Sequence, residues 1–117
     1  KPKSKLGGYT NILHCTSNGL NSGAPGSRNI AIWFTPTNGL YVRTDSTTTG
    51  DIGSSTSDLP LNNVTSVNVS FGGGVLRVSL SGDSNIYTAW VGKRYFGHAE
   101  CYTSDPWHPA ANAELKN

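Results

Sequence analysis

The residues that could do chemistry are few, and their spacing argues against catalysis. The carboxylates are Asp45, Asp51, Asp58, Asp83, Glu100, Asp105 and Glu114. Sandwich-type glycosidases hold two carboxylates close together, one as acid and one as base or nucleophile, often as Glu-x-Asp-x-x-Glu along one strand. No such pair occurs here, and no Gly-x-Ser-x-Gly turn presents a nucleophilic serine. His14 and Cys15 are adjacent, so on a strand their side chains leave opposite faces and cannot form a thiol–imidazole pair. The histidines, His14, His98 and His108, lack the paired spacing of a zinc site, and there is no Asp-x-Asp-x-Asp-Gly calcium loop. The expectation is a protein that is not an enzyme and carries no metal or other cofactor. Two sequons, Asn63-Val-Thr and Asn68-Val-Ser, are N-glycan acceptors if the chain is secreted.

The elements that would position these residues read as strands. Tyr9 to Thr16 is the first, and Ser17 to Ser27 is a loop rich in Gly, Ser and Asn. Arg28 to Phe34 alternates, with Ile30, Ile32 and Phe34 on one face and Asn29, Ala31 and Trp33 on the other. Thr35-Pro36-Thr37-Asn38-Gly39 contains the Asn-Gly turn signal. Leu40 to Asp45 then sends Leu40 and Val42 inward and Tyr41, Arg43 and Asp45 outward. Ser46 to Asn63 is polar and reads as a long surface loop with room for one short edge strand, a length that points to function in a small domain. Val64 to Phe71 (Val67, Val69 and Phe71 inward), a triple-glycine turn at 72–74, Val75 to Ser81, a turn at 82–84, Ile86 to Val91 and Tyr95 to Thr103 complete the set. Apolar residues nowhere recur at helical spacing over more than a turn. The prediction is an all-β fold: one antiparallel β-sandwich of the jelly-roll kind over residues 1–117, with 1–8 a basic tail or the end of a first strand cut short.

Composition narrows the class. Charged residues are 14% of the chain, against the ~25% usual in soluble domains, with Gly, Ser, Thr and Asn in their place. That suits a secreted, turn-rich β protein. The net charge of +2 comes from scattered residues and a Lys1, Lys3, Lys5 tail, with no basic stripe of the kind nucleic acid selects. No apolar run approaches the ~20 residues of a helical membrane span, so neither nucleic acid nor membrane insertion is expected.

Cys15 and Cys101 are the two cysteines. Each sits on the apolar or small-residue face of its run, Leu13 with Cys15 and Gly97 and Ala99 with Cys101, so both are expected to point into one interior. If the runs lie side by side, a Cys15–Cys101 disulfide closes nearly the whole chain, which the chain-entropy account credits with ~4–5 kcal/mol. Two free buried cysteines, acting as small hydrophobes, are the alternative.

Three passages carry a resemblance: Gly8-Tyr-Thr-Asn-Ile-Leu-His14, Pro25-Gly-Ser-Arg-Asn-Ile-Ala-Ile-Trp-Phe34 and Ser104-Asp-Pro-Trp-His-Pro-Ala-Ala-Asn-Ala113. In this order, over nearly the whole chain, they resemble the concanavalin A-like, laminin-G-like jelly-roll domains of secreted animal proteins, many of them invertebrate. The resemblance implies two antiparallel sheets with first and last strands adjacent, which supports the Cys15–Cys101 pairing. It also implies glycan binding or adhesion. Galectins share this architecture, but their His-x-Asn-Pro-Arg and Trp-Gly-x-Glu-x-Arg signatures are absent, so their sugar-binding residues do not carry over.

A sugar site needs an aromatic face for the C–H side of the ring and fixed polar groups for its hydroxyls. The 28–45 hairpin offers both on its outward face: Trp33 opposite Tyr41, with Arg43, Asn29 and Asp45 completing the row; the alternative is that Trp33 packs under a loop or in a second-sheet contact. A second candidate row is His14, His98, Glu100 and Tyr102. Trp90 and Trp107 read as structural, Trp107 covering one end of the sandwich from a Pro-flanked loop. The expected function is a secreted, non-enzymatic lectin for galactose-type glycans or glycoproteins, working as a homo-oligomer. The competing expectation is a laminin-G-like structural or cell-adhesion module that binds protein.

Overall fold

The computed structural model describes residues 1–5, 7–95 and 97–115. It contains eight strands and, among the described residues, no helix: β1 (Thr10–Thr16), β2 (Ile30–Phe34), β3 (Gly39–Thr44), β4 (Ile52–Asp58), β5 (Val67–Gly72), β6 (Val75–Leu80), β7 (Ile86–Trp90) and β8 (Glu100–Tyr102). They form two antiparallel sheets, one ordered β4-β3-β2-β1-β8 and the other β5-β6-β7. The fold is the expected antiparallel β-sandwich.

Alternation set the inner faces. Ile32 pairs with Val42 and Phe34 with Leu40 on one sheet, and Val69 pairs with Val78 and Phe71 with Leu76 on the other. Phe34, Leu40, Val42, Leu76, Val78 and Leu80 meet between the sheets with Leu59 and Val91. The β5–β6 hairpin turns on Gly73 and Gly74, at φ 59° and 76°, a left-handed pair that matches strand twist and that L side chains resist.

β4 is the edge strand for which the polar 46–63 run left room, though its residues did not mark its place. Its residues, Ile-Gly-Ser-Ser-Thr-Ser-Asp, do not alternate, yet they pair with β3 from Gly39↔Asp58 to Thr44↔Ile52. Backbone pairing holds this edge strand, and the approach at Gly53 is so close that an added Cβ would lie 1.8 Å from the Val42 carbonyl oxygen. A corner of hydrogen bonds ties it to the second sheet. The Ser57 amide donates to the Tyr87 hydroxyl, and the Tyr87 and Ser57 hydroxyls donate to Asp83 Oδ2 at 2.6 and 2.8 Å. The Tyr87 hydroxyl first, then the Asn85 amide and the Ser57 hydroxyl, hold the Asp83 carboxyl at about 2, below its ordinary value.

β1 and β8 are adjacent, and Cys15 lies directly opposite Cys101, their Cα atoms 4.0 Å apart and their sulfurs bonded. Cys15 is buried, but Cys101 is exposed and not interior as expected, because β8 is an edge strand. β8 is also shorter than the Tyr95–Thr103 run, of which Phe96 lies outside the described residues, as Leu6 does in the 1–8 segment. Within that segment Pro2 bridges Ala113 and the Lys3 amide donates to the Asn112 carbonyl, so its first residues lie against the 112–114 stretch.

Candidate functional site

The outer face of the five-stranded sheet is where the chain's polar and aromatic residues converge. By register, β1 contributes Asn11 and His14, β2 Ala31 and Trp33, and β3 Tyr41 and Arg43. A β-bulge between Asn11 and Leu13 breaks the β1–β2 pairing. The segment after β8 folds back onto that irregular stretch. Asn11 donates its amide to the Pro109 carbonyl, accepts the Ala111 amide on its own carbonyl, and accepts the Asp105 amide on Oδ1.

Asp105 organises the cover. Its Oδ1 accepts the amides of Trp107 and His108 at 3.1 and 2.8 Å, an Asx turn that fixes the loop. Its Oδ2 lies 2.8 Å from His14 Nδ1, while His14 Nε2 donates to the Ser27 carbonyl at 2.8 Å. Both side chains of the His14–Asp105 pair are fully buried. Trp33 Nε1 donates to His108 Nδ1 at 3.2 Å, which leaves His108 Nε2 to carry the ring hydrogen. His108 Nδ1 also lies 3.1 Å from both Asp105 oxygens, so the opposite tautomer would serve Asp105 and strip Trp33 of its acceptor.

Aromatic rings extend the cluster sideways. Tyr9 meets Tyr41 at 5.3 Å edge-on, Tyr41 meets Trp33 at 5.8 Å, and Trp33 meets His14 and His108 at 5.5 and 5.4 Å. The Arg43 guanidinium lies 3.6 Å over the Tyr41 ring and that of Arg28 5.3 Å from Trp33. Asp51 lies between the two arginines, bonded to Arg28 and 3.5 Å from Arg43 Nε. The result is a concavity of about 440 Å³ lined by Tyr9, Arg28, Trp33, Tyr41 and His108, within the size range of small-molecule sites.

The sequence-derived rows are partly assembled and partly dispersed. Trp33, Tyr41 and Arg43 do share the outer face. Trp33, however, is 2% exposed: it packs under the 105–111 segment, the alternative to an open platform, and forms the floor of the concavity. Asp45 is wholly buried and belongs elsewhere. Its Oδ1 accepts the Arg28 amide, its Oδ2 finds no hydrogen bond among the described residues, and burial pushes its carboxyl above the ordinary range against the pull of Arg28 and Arg94. Asn29 is tied to Ser17 through its side chain and to Thr44 and Arg94 through its carbonyl.

In the second row, His14, Glu100 and Tyr102 share the outer face by register, Tyr102 opposite His14. His14 faces outward as expected but is sealed from solvent beneath Trp107, 5.1 Å away. His98 is exposed and outside any strand. Tyr102 donates to Glu100, whose carboxylate raises the phenol above its ordinary value. Trp107 lies on this sheet face against His14 and Tyr102, and not over an end of the sandwich. Trp90, read as structural, is 71% exposed.

Sequence reasoning missed Tyr9, Arg28 and His108 as lining residues. One signal was present: an Asp followed by Trp-His between two prolines is a rigid turn that must land on something. Asn63 and Asn68 are both exposed. No protein-family model, no curated protein and no solved structure matches this chain.

Proposed function

We propose that this protein is a secreted, non-enzymatic lectin of the concanavalin A-like, laminin-G-like kind, with galactose-type glycans as its ligand class. The observation that carries the reading is the Tyr9–Arg28–Trp33–Tyr41–His108 concavity. Tyr9, 46% exposed, offers an aromatic face at the rim, while Arg28 and His108 bring N–H groups to the same hollow. The floor is rigid, since Trp33 is bonded to His108 and His108 is fixed by the Asp105 turn, so little order has to be gained on binding. The Cys15–Cys101 disulfide supports an oxidising, extracellular setting. The exposed sequons at Asn63 and Asn68 fit a glycoprotein, which loss of mass on enzymatic deglycosylation would report.

A glycan array tests the reading. Sugar-competable binding is expected, and Tyr9→Ala and Arg28→Ala, both outside the core, should each weaken it about tenfold or more while leaving the circular dichroism spectrum unchanged. A blank array would reject the lectin and favour the adhesion-module reading. Binding that survives both substitutions would move the site elsewhere on the surface.

A further inference from the structure

One of the two sequons, Asn68-Val-Ser70, lies within a strand, and the pairing of that strand fixes what surrounds it. Val69, Val78 and Tyr87 form one row across β5, β6 and β7 and face the core. The rows on either side therefore leave the outer face: Asn68, Ser79 and Ile86 in one, Ser70, Arg77 and Thr88 in the other. Asn68 and Ser70 are both exposed, so the folded protein has room for a group on this asparagine. Its carboxamide is also unengaged. Those of Asn29, Asn38 and Asn85 are hydrogen-bonded within the fold, whereas that of Asn68 makes no hydrogen bond among the described residues. A substituent on its nitrogen breaks nothing.

The row that Asn68 begins is a shallow bed. Ser79 beside it is small and half-buried, and Ile86 beyond it is 64% exposed. Two strand spacings separate Asn68 from Ile86, about 10 Å, the length of a disaccharide. On one side of the row Arg77 is drawn away, since its Nη1 donates to the Gly72 carbonyl at 3.0 Å, at the far end of β5. On the other side the chain is serine-rich: the Ser66 amide donates to Ser81 Oγ and the Ser81 amide to the Ser66 carbonyl. The bed has small hydroxyl side chains along it and one apolar side chain at its end. A sugar ring needs both, for its hydroxyls and for its C–H face.

We propose that Asn68 carries an N-glycan whose two core N-acetylglucosamine units lie across Ser79 and cover Ile86. In the attachment step Asn68 Nδ2 loses one hydrogen and bonds the anomeric carbon of a diphosphate-activated oligosaccharide. The diphosphate leaves with the electrons of the broken C–O bond. The glycan leaves Trp90 bare, since Trp90 stands two rows from Ile86 along β7. The inference rests on the secreted setting of the lectin reading and on nothing in its sugar site. The concavity belongs to the outer face of the other sheet, so a glycan on Asn68 does not obstruct it.

Glycopeptide mass spectrometry and NMR of the full chain, secreted from eukaryotic cells, test this. The expected result is a glycan on Asn68 in most molecules, with nuclear Overhauser contacts from its N-acetylglucosamine protons to the Ile86 methyls. Ser70→Ala removes the sequon and keeps Asn68. It should give a folded protein, unmodified at Asn68, in which the Ile86 methyl signals shift and the Trp90 indole signal stays. Asn68→Gln should do the same and decides the matter should the alanine variant fail to fold. Asn63→Gln should leave the Ile86 signals unmoved. Secreted protein with Asn68 unmodified would overturn the proposal and leave the sugar-binding reading standing. A glycan on Asn68 that makes no contact with Ile86 would overturn it too, since the sugars would then project into solvent. The lectin reading fails separately, on a blank glycan array.

Discussion

Trp33 and Trp90 both stand on outward faces of their sheets, and the molecule treats them in opposite ways. Trp33 is 2% exposed and Trp90 71%. Over Trp33 lies the 105–111 segment, anchored by Asn11, His14 and Asp105, with His108 accepting the indole hydrogen. Trp90 lies against the Gly73–Gly74 turn, so close that a Cβ at Gly74 would come within 2.9 Å of its ring. Beside it on the outer face by register stand Arg77, Thr88 and Ile86, and among the described residues nothing folds across them. Alternation decides which face a residue takes. Whether that face is dry or wet is decided by a segment far away along the chain.

Substitutions can break this contrast. The largest effect is expected at the covered face: Trp33→Ala should cost ~3–5 kcal/mol in denaturant unfolding, as for other buried aromatic truncations, and should also erase the floor of the concavity. A loss under 1 kcal/mol would mean the cover is not packed in solution. Next comes the staple beside it. Replacing Cys15 and Cys101 together with serine should cost ~2–5 kcal/mol, and alkylation of the native protein should reveal two thiols only after reduction. Free thiols before reduction would remove the link between β1 and β8.

At the corner joining the two sheets the expectation concerns pH. Asp83 is held at about 2, below its unfolded value, so its contribution is complete above the unfolded carboxylate range and is lost as pH falls from about 4 toward 2. Asp83→Asn should flatten that part of the stability profile. An unchanged acid limb would place the acid sensitivity at other carboxylates. The smallest effect is at the bare face: Trp90→Ala should change stability by no more than ~0.5 kcal/mol. A core-sized loss there would mean that the outer face of the three-stranded sheet is covered after all.

Much of the fold was legible because apolar alternation and turn chemistry are local. Ile32, Phe34, Leu40 and Val42 fell on the predicted face, and Cys15 and Cys101 met as expected. β4 was hard to see because pairing with β3, and not side-chain pattern, holds it. The site was half legible. The Trp33–Tyr41 pairing followed from the hairpin register, but Tyr9, Arg28 and His108 join it only through contacts between distant segments. Asp45 looked like the next outward residue after Arg43, but the strand ends at Thr44 and Asp45 turns inward to take the Arg28 amide.

The most direct test of the account is to follow the three indole N–H signals by ¹⁵N–¹H NMR while a galactose-type oligosaccharide is titrated in. A ligand in the concavity perturbs Trp33, whose indole hydrogen is bonded to lining residue His108, and leaves Trp90 unmoved. Movement of Trp90 with Trp33 unchanged would contradict the account and put the binding face on the bare sheet.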